Sequence, residues 1–343
     1  MATTSLPSTV RAVLQPDVQS TDLKLTELPL QLAREGTEEH LIKVYATAPC
    51  AGELLWAKNF PQVMDKDRVA VPCNDLSGIV ITAPPTSPFQ PGTKIYTRTV
   101  AGRTGNARDY TIALTSELAV MPKTTSWEEA ASVPLSAFTA YQQLFEHGGL
   151  RTPWKDADPA AAKAENAQKR VLITAAAGGV GVWTVQLARA AGVKEIIALV
   201  GPDNVDFIKT LGATETINYK EQSLGAWAAV PGQKKADLVI DMLGKQTLAD
   251  CWFAVRDGGV LLGINEPPEM RKPKENAPKD VRNTFFIMSA DGWQLKEIAD
   301  LIDNGECKPV VDSIWKLEEF KDAFAKLASG HARGKVIIKV AEA

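Results

Sequence analysis

The chain has 343 residues, more than one domain usually contains, and its 45% hydrophobic content is sufficient for two folded cores. Its 38 basic and 41 acidic residues give a formal net charge of -3, and no block of like charges stands out. This balance argues against nucleic acid or an anionic membrane surface as a partner.

The sequence offers neither a membrane span nor a secretory signal. No apolar run reaches the roughly 18 residues that cross a bilayer, and the opening stretch MATTSLPSTVRAV lacks an apolar core. The cysteines are far apart and form no C-x-x-C pair, so we expect neither a disulfide framework nor a thiolate zinc cluster. We predict a cytoplasmic chain with reduced cysteines.

Residues 1–134 favour a β-rich domain. Short β-type runs such as HLIKVYAT, SGIVIT and TKIYTRTV alternate with turn-forming stretches such as APPTSPFQPGT. This alternation is typical of a Greek-key or barrel-like antiparallel unit.

Residues 135–305 favour an α/β domain. The apolar runs VLITA, EIIALV, ADLVIDML, GGVLLGIN and FFIMSA are separated by segments of helix length, which predicts a doubly wound parallel sheet. Within this range we interpret residues 151–170, polar and rich in alanine, as an exposed or partly helical insertion. Residues 306–343 return to isolated strands around one amphipathic helix, and we assign them to the first domain.

A glycine-rich turn follows the first apolar run of the second domain. In VLITAAAGGVGVWTVQL, residues Ala176 to Gly181 occupy a G-x-G-x-x-G frame with alanine in the first position. Gly178 would let the backbone approach a pyrophosphate, and Gly181 would let the helix pack closely on its strand. The free N–H groups at the start of the helix would then face the phosphates. An ordinary strand-to-helix turn is the alternative, and the surrounding strand, helix and second strand favour dinucleotide binding.

The end of the second strand bears on the choice of cofactor. An NAD enzyme usually carries Asp or Glu there to hold the ribose 2'-hydroxyl, whereas EIIALV is followed by Gly201 and Pro202. The missing carboxylate removes repulsion against a 2'-phosphate and favours NADPH. Lys209, Tyr219 and Lys220 are the nearby donors, although each is equally compatible with a solvated surface position.

With these motifs the chain resembles the medium-chain dehydrogenase/reductase superfamily, in its zinc-independent quinone oxidoreductase and enoyl reductase branch. The stretches that carry the resemblance are CNDLSGIV, SVPLSAFTAYQQLFEHGGL, AAAGGVGVWTVQLARAAG with LGATETINY, and GHARGKVIIKV. The resemblance implies a GroES-like catalytic domain, a Rossmann domain, and a cleft between them for NADPH and substrate.

Members of that superfamily differ in whether they bind zinc. Its zinc alcohol dehydrogenases have an early cysteine ligand, a G-H-E stretch and four closely spaced cysteines. Here CNDLSGIV replaces the G-H-E stretch, and the three histidines form no ligand pair. Without a Lewis acid to polarise an alcohol oxygen, we expect no metal and predict reduction of a C=C bond, with hydride from NADPH reaching the β-carbon.

The resemblance implies specific cofactor-binding residues. Thr139 in FTAY matches a threonine that faces the nicotinamide and is also a catalytic candidate, although a helical threonine often bonds only to its own turn. Tyr219 matches a tyrosine near the adenosine phosphate, and Lys335 in RGK matches a lysine near the cofactor. The full predicted cofactor set is Thr139, Gly178, Gly179, Val180, Gly181, Gly201, Tyr219, Leu243, Gly263, Ile264, Phe286 and Lys335.

One stretch departs from the family pattern. Cys50 to Glu53 replaces the common Asn-Pro-x-Asp, so that only the acid remains, as Glu53, and Trp56 follows as a candidate pocket wall. LLWAKNF contains no tyrosine to donate a proton, so solvent or a cofactor hydroxyl are alternatives. A buried Glu53 would donate a hydrogen bond or orient a water, whereas an exposed Glu53 would form an ion pair or cap a helix.

The predicted function is NADPH-dependent, zinc-independent reduction of an α,β-unsaturated carbonyl compound or a quinone. The alternatives are a pathway-specific tailoring enzyme with other reductive or rearranging chemistry, and a nucleotide-binding scaffold without catalysis. The run FFIMSA is the last predicted strand of the parallel sheet, and its apolar edge predicts a homodimer.

Overall fold

The computed structural model describes residues 6–342. Its strands are β1 (Thr9–Leu14), β2 (Lys24–Pro29), β3 (Glu39–Ala48), β4 (Asp75–Thr82), β5 (Lys94–Arg98), β6 (Tyr110–Leu114), β7 (Ala119–Val120), β8 (Arg170–Ile173), β9 (Glu195–Val200), β10 (Glu215–Asn218), β11 (Ala236–Asp241), β12 (Val255–Gly263), β13 (Arg282–Phe285), β14 (Val311–Lys316) and β15 (Lys335–Lys339). Its α-helices are α1 (Trp56–Asn59), α2 (Trp127–Ala131), α3 (Pro134–Tyr141), α4 (Pro159–Asn166), α5 (Gly179–Ala190), α6 (Val205–Leu211), α7 (Leu224–Ala228), α8 (Lys245–Ala254), α9 (Gly292–Asp303) and α10 (Phe320–Ala328).

The chain divides into two compact units. The first contains the residues up to Leu135 together with those from Ala290 onward, and the second contains Ser136–Ser289. The sequence placed the second boundary after residue 305, whereas the structure divides at residue 289. The reason is α9, which contacts β7 and whose Leu295 carbonyl accepts a hydrogen bond from Tyr96.

The first unit is built on a seven-stranded sheet. Its strand order is β14-β15-β3-β4-β5-β7, with β6 also paired to β3, and the neighbouring β1 and β2 form a separate antiparallel pair. β3 is long and mostly buried, so it can pair with β15, β4 and β6 along its length. The predicted apolar face of α10 packs on the same core, which contains Phe320 with Phe324 and Leu327 against it.

The second unit is a parallel sheet of six strands in the order β10-β9-β8-β11-β12-β13. Numbered along the chain this is 3-2-1-4-5-6, the order of a doubly wound dinucleotide-binding sheet, and the direction of winding reverses between β8 and β11. The predicted fold class is therefore confirmed. In such a sheet the carboxyl ends of the strands meet at one edge, and ligands bind there.

The alanine-rich insertion contains one short helix. Asp158 caps the start of α4 by accepting a hydrogen bond from the Ala161 N–H. The Asn166 side chain ties the end of α4 to the carbonyls of Arg151 and Ala191, at 2.8 and 2.9 Å. Across residues 6–342, no helix is both long and apolar enough to cross a membrane.

Candidate active site

The turn after β8 is shaped by close backbone contacts. Ala175 adopts a positive φ of 46°, and its carbonyl accepts a hydrogen bond from the Gly178 N–H at 2.9 Å. A Cβ at Gly181 would lie 2.4 Å from the Ala175 oxygen and 2.5 Å from the Ala176 Cα. Only glycine fits at position 181, because the helix start rests directly on the turn.

The helix that follows this turn begins with unpaired donors. The residue that precedes α5 is Gly178, which has no side chain to cap the helix, and the first N–H groups of a helix have no intrahelical partner. A Cβ at Gly178 would meet only the Ala175 oxygen, at 3.3 Å. The turn thus offers a narrow backbone cradle and oriented N–H groups, an arrangement that fits the pyrophosphate of a dinucleotide.

Gly201 and Tyr219 lie side by side at the ends of β9 and β10. A Cβ at Gly201 would be 2.8 Å from the Tyr219 hydroxyl. The hydroxyl therefore occupies part of the space beside this glycine. The ring of Tyr219 is half exposed, and Lys220 Nζ lies 5.6 Å from its centroid. A hydroxyl and an ammonium are therefore available at the strand end where no carboxylate stands, while Lys209 is exposed on α6.

A buried aspartate positions the loop after β11. Asp241 accepts hydrogen bonds from the Thr174 hydroxyl at 3.0 Å and from the N–H groups of Leu243 and Gly244, at 3.2 and 2.6 Å. Thr174 in turn accepts from the Met242 N–H at 2.9 Å. Burial raises the pKa of Asp241, although these hydrogen bonds oppose the shift. The network fixes the predicted contact Leu243 at the carboxyl edge of the sheet, with its side chain 44% exposed.

The remaining predicted cofactor residues of this unit follow the same edge. Gly263 ends β12, and its carbonyl accepts a hydrogen bond from the Phe286 N–H at 3.4 Å, while the Ile264 N–H donates to the Asp241 carbonyl at 3.2 Å. Phe286 is buried against the His147 ring, with the centroids 4.4 Å apart. Gly179 and Val180 lie in the first turn of α5, and Thr139 is buried on α3.

In the first unit, Glu53 is a buried acid. It begins the 3-10 turn Glu53–Leu55 after Gly52, whose φ is 78°, and it is only 7% exposed. Its Oε1 atom has no hydrogen-bond partner among the described residues. Burial raises the pKa of Glu53 to about 7, against the lowering effects of Lys335 and of the Cys50 and Cys73 backbone N–H groups. The partly exposed Trp56 begins α1 three positions later.

Asp75 and Lys335 form a buried ion pair beside this acid. Lys335 Nζ lies 3.2 Å from Asp75 Oδ2 and donates a hydrogen bond to the Pro49 carbonyl at 3.0 Å, while Asp75 Oδ1 accepts from the Leu135 N–H at 2.8 Å. Burial raises the pKa of Asp75 despite the ammonium. Burial also lowers the pKa of Lys335, but Asp75 and its other neighbours outweigh that effect, so the ammonium stays charged.

The donor set of this region does not fit a zinc ion. Cys50 and Cys73 are the two thiols of this region, and burial raises the pKa of both. Asp75 is already neutralised by Lys335. Within residues 6–342, no group of three or more His, Cys, Asp and Glu side chains is arranged to hold a metal ion.

Two polar residues of the site escaped the sequence analysis. Asp75 stands in CNDLSGIV, the stretch that replaces G-H-E, and its position there was the available signal. Arg98 ends β5 opposite Asp75, in antiparallel register. Nothing in the pattern TKIYTRTV distinguishes it from a surface residue of a strand, yet it is 7% exposed.

Comparison with known proteins agrees with this architecture. Residues 211–338 match the family described as zinc-binding dehydrogenase. A protein of Arthroderma benhamiae named "Probable zinc-binding oxidoreductase, mitochondrial" is 48% identical over 337 residues, and the match covers 98% of each chain. The 2-methylene-furan-3-one reductase of Solanum lycopersicum is 27% identical over 97% of this chain and 80% of its own. The solved structure of the quinone oxidoreductase from Coxiella burnetii has the same fold, with a TM-score of 0.81 at 22% identity over 97% of this chain and 100% of that one.

Proposed function

Because the chain belongs to the zinc-binding dehydrogenase family, in the quinone oxidoreductase-like branch of the medium-chain dehydrogenase/reductase superfamily, we propose that it is an NADPH-dependent reductase of α,β-unsaturated carbonyl compounds or quinones. The membership makes the chain an oxidoreductase that uses a nicotinamide cofactor. The observation that carries the proposal is the backbone cradle from Ala175 to Gly181 at the carboxyl edge of the parallel sheet.

The preference for NADPH is supported by the end of β9. Gly201 follows the strand without a carboxylate, and the Tyr219 hydroxyl and Lys220 ammonium lie nearby. A carboxylate here would repel a 2'-phosphate, whereas these donors attract it. We assign Thr139, Leu243, Gly263, Ile264 and Phe286 to the nicotinamide half of the cofactor, since all but Thr139 follow the carboxyl ends of the strands.

The proposed reaction consists of a hydride transfer and a proton transfer. NADPH, when bound, would supply the hydride for the β-carbon of an unsaturated carbonyl substrate. The protonated carboxyl of Glu53 then delivers a proton to the α-carbon and regains it from solvent, with Trp56 limiting access of water. A carboxyl whose pKa is about 7 can hold and release a proton near neutral pH.

No metal takes part in this proposal. The relative from Arthroderma benhamiae carries zinc binding in its name. In this chain the polar groups of the site are the Lys335 ammonium paired with Asp75, the Arg98 guanidinium, the buried Glu53 carboxyl and the thiols of Cys50 and Cys73. An ammonium held at a carboxylate leaves no donor set for a Lewis acid.

The experiment uses purified protein treated with a chelator. It measures the binding of NADPH and NADH and the consumption of NADPH with a panel of enones and quinones. We expect NADPH to bind at least tenfold more tightly than NADH by calorimetry, and NADPH to be consumed with simple enones or quinones. Equal dissociation constants would overturn the NADPH preference. Activity that is lost on chelation and restored by zinc would overturn the metal-free mechanism, and bound NADPH without turnover across the panel would indicate a non-catalytic scaffold.

A further inference from the structure

Arg98 is a buried guanidinium without a partner. It is 7% exposed, its Nε atom is fully enclosed without a hydrogen-bond acceptor, and its side chain forms no hydrogen bond or ion pair within residues 6–342. Arg98 faces Asp75 across β4 and β5, in register, so the two side chains lie on the same face of the sheet with Cβ atoms about 5 Å apart.

The other arginines buried to this degree each have at least one protein partner, although their Nε atoms are also enclosed without an acceptor. Arg108 donates to the Thr111 hydroxyl at 2.8 Å, and Arg170 pairs with both Glu195 and Glu215, at 2.5 and 2.6 Å. A guanidinium removed from water without hydrogen bonds is among the costliest groups in a fold. Arg108 and Arg170 therefore have protein partners, whereas the Arg98 guanidinium has none among the described residues.

The neighbouring carboxylates do not neutralise Arg98. Asp75 Oδ1 accepts a hydrogen bond from the Leu135 N–H, and Oδ2 lies 3.2 Å from Lys335 Nζ without a hydrogen bond, so this single carboxylate faces two cations, Lys335 and Arg98. Glu53 lies in the same buried group, since it and Arg98 both act electrostatically on the Cys50 thiol, but Glu53 holds its proton near neutral pH. Asp75 can therefore balance only one of the two cations, and the Oε1 atom of Glu53 in the same buried group also lacks a partner among the described residues.

We propose that Arg98 binds a carboxylate of the substrate, so that this reductase acts on α,β-unsaturated carbonyl compounds that carry a carboxylate. The inference rests on the proposed function, because Glu53 and Arg98 would then bind opposite ends of one small molecule. A planar guanidinium with free N–H groups matches a carboxylate in geometry and charge. For 4-oxopent-2-enoate, hydride adds to the carbon β to the ketone and a proton to the α-carbon, which gives 4-oxopentanoate and NADP.

The test compares 4-oxopent-2-enoate with its methyl ester, which has the same reacting atoms without the charge. We expect wild-type kcat/KM to favour the acid at least tenfold, and Arg98→Met to reduce the acid-to-ester ratio at least tenfold. Arg98→Lys should restore part of the acid-to-ester ratio, because lysine keeps the positive charge but lacks the two parallel N–H groups of the guanidinium. Arg108→Gln is the matched control, a buried arginine of the same unit whose replacement should leave the ratio unchanged.

Melting temperatures separate binding from a structural role. Arg98→Met should melt at or above the wild-type temperature, because it removes an unpaired buried charge, whereas Arg108→Gln breaks a hydrogen bond and should melt lower. A lower melting temperature for Arg98→Met with an unaltered acid-to-ester ratio would make Arg98 structural. Equal losses for acid and ester would assign it to the enolate oxygen, and either result overturns the carboxylate site.

Binding of the saturated product gives a readout that needs no turnover. 4-Oxopentanoate should bind wild-type protein, measured by calorimetry with NADPH present, at least tenfold more tightly than it binds Arg98→Met. If the protein reduces neither substrate but shows this difference, the carboxylate site stands and the proposed reaction fails. If it reduces the ester as well as the acid and binds 4-oxopentanoate no better than the variant does, the reaction stands and the carboxylate site fails.

Discussion

At the scale of single residues, three ionisable side chains of the first unit, Glu53, Asp75 and Lys335, are buried. Asp75 and Lys335 compensate each other, whereas Glu53 is accommodated by keeping its proton. When the neutral carboxyl of Glu53 donates its proton it becomes a buried carboxylate, and the nearby Lys335 ammonium favours that charged form. Glu53, the acid that remains from the family's Asn-Pro-x-Asp stretch, is thereby suited to an acid role.

The variant Glu53→Gln tests that role through the pH dependence of stability. The folded protein binds the Glu53 proton more tightly than the unfolded chain does, so the free energy of unfolding falls as pH rises from about 4.5 to about 7. Glutamine does not titrate, so the variant should gain about 3 kcal/mol relative to wild type across this window. Chemical denaturation at a series of pH values measures the difference. Glu35→Gln, at an exposed glutamate of the same unit, should show a flat difference.

Turnover should respond to the same substitution. We expect Glu53→Gln to lower kcat about tenfold, which is roughly 1.4 kcal/mol of barrier, and to remove the decline in rate above pH 7 that the loss of the acid form produces. Stopped-flow or steady-state rates from pH 5 to 9 with one substrate measure both. Wild-type turnover with an unchanged pH profile would make Glu53 a structural residue.

At the scale of elements, the turn between β8 and α5 separates two uses of glycine. A Cβ at Gly181 would come within 2.4 Å of a backbone oxygen, whereas a Cβ at Gly178 would have only one contact, at 3.3 Å. The close packing of Gly181 on the turn agrees with the sequence analysis, whereas the approach of a pyrophosphate to Gly178 stays a prediction. The sequence did not indicate that Ala175 would take the left-handed conformation that brings its carbonyl to the Gly178 N–H.

Alanine at these two positions should give different results. Gly178→Ala should weaken NADPH binding at least tenfold while the melting temperature stays within a few degrees, because the methyl group would narrow the proposed pyrophosphate cradle. Gly181→Ala should lower the melting temperature as well, because its methyl group meets backbone atoms that cannot move independently. Calorimetric titration and thermal unfolding measure the pair. Identical effects of the two substitutions would contradict the division of roles.

At the scale of the whole molecule, the sequence predicted the doubly wound sheet and the β-rich unit because both depend on apolar periodicity, which is local. It misplaced residues 290–305 because the apolar face of α9 does not specify the strand on which it packs, which is β7. The ion pair between Asp75 and Lys335 joins residues 260 positions apart, and Arg98 is recognised as unusual only when its lack of partners is seen. Such features depend on the packed structure rather than on spacing.

We propose the open edge of the parallel sheet as a dimer contact, although its last strand is Arg282–Phe285, so that the predicted strand FFIMSA was wrong in position and only its Phe285 belongs to the sheet. β13 is the outermost strand, and Phe285 and Ile287 beside it are 38% and 76% exposed. Pairing of two such edges would extend the sheet and cover these side chains. Light scattering coupled to size exclusion should give twice the chain mass of 37.0 kDa at micromolar concentration, and Ile287→Lys should shift it to the monomer. A wild-type monomer would exclude this contact.

The central claim is that this chain transfers hydride from NADPH to a carbon–carbon double bond without a metal. The most direct measurement is turnover of an unlabelled enone by chelator-treated protein with NADPH deuterated at the reactive C4 position, followed by NMR of the product. We predict one deuterium at the carbon β to the carbonyl and a solvent-derived proton at the α-carbon. Deuterium at the carbonyl carbon, giving an allylic alcohol, or label transfer that requires added zinc, would contradict the account.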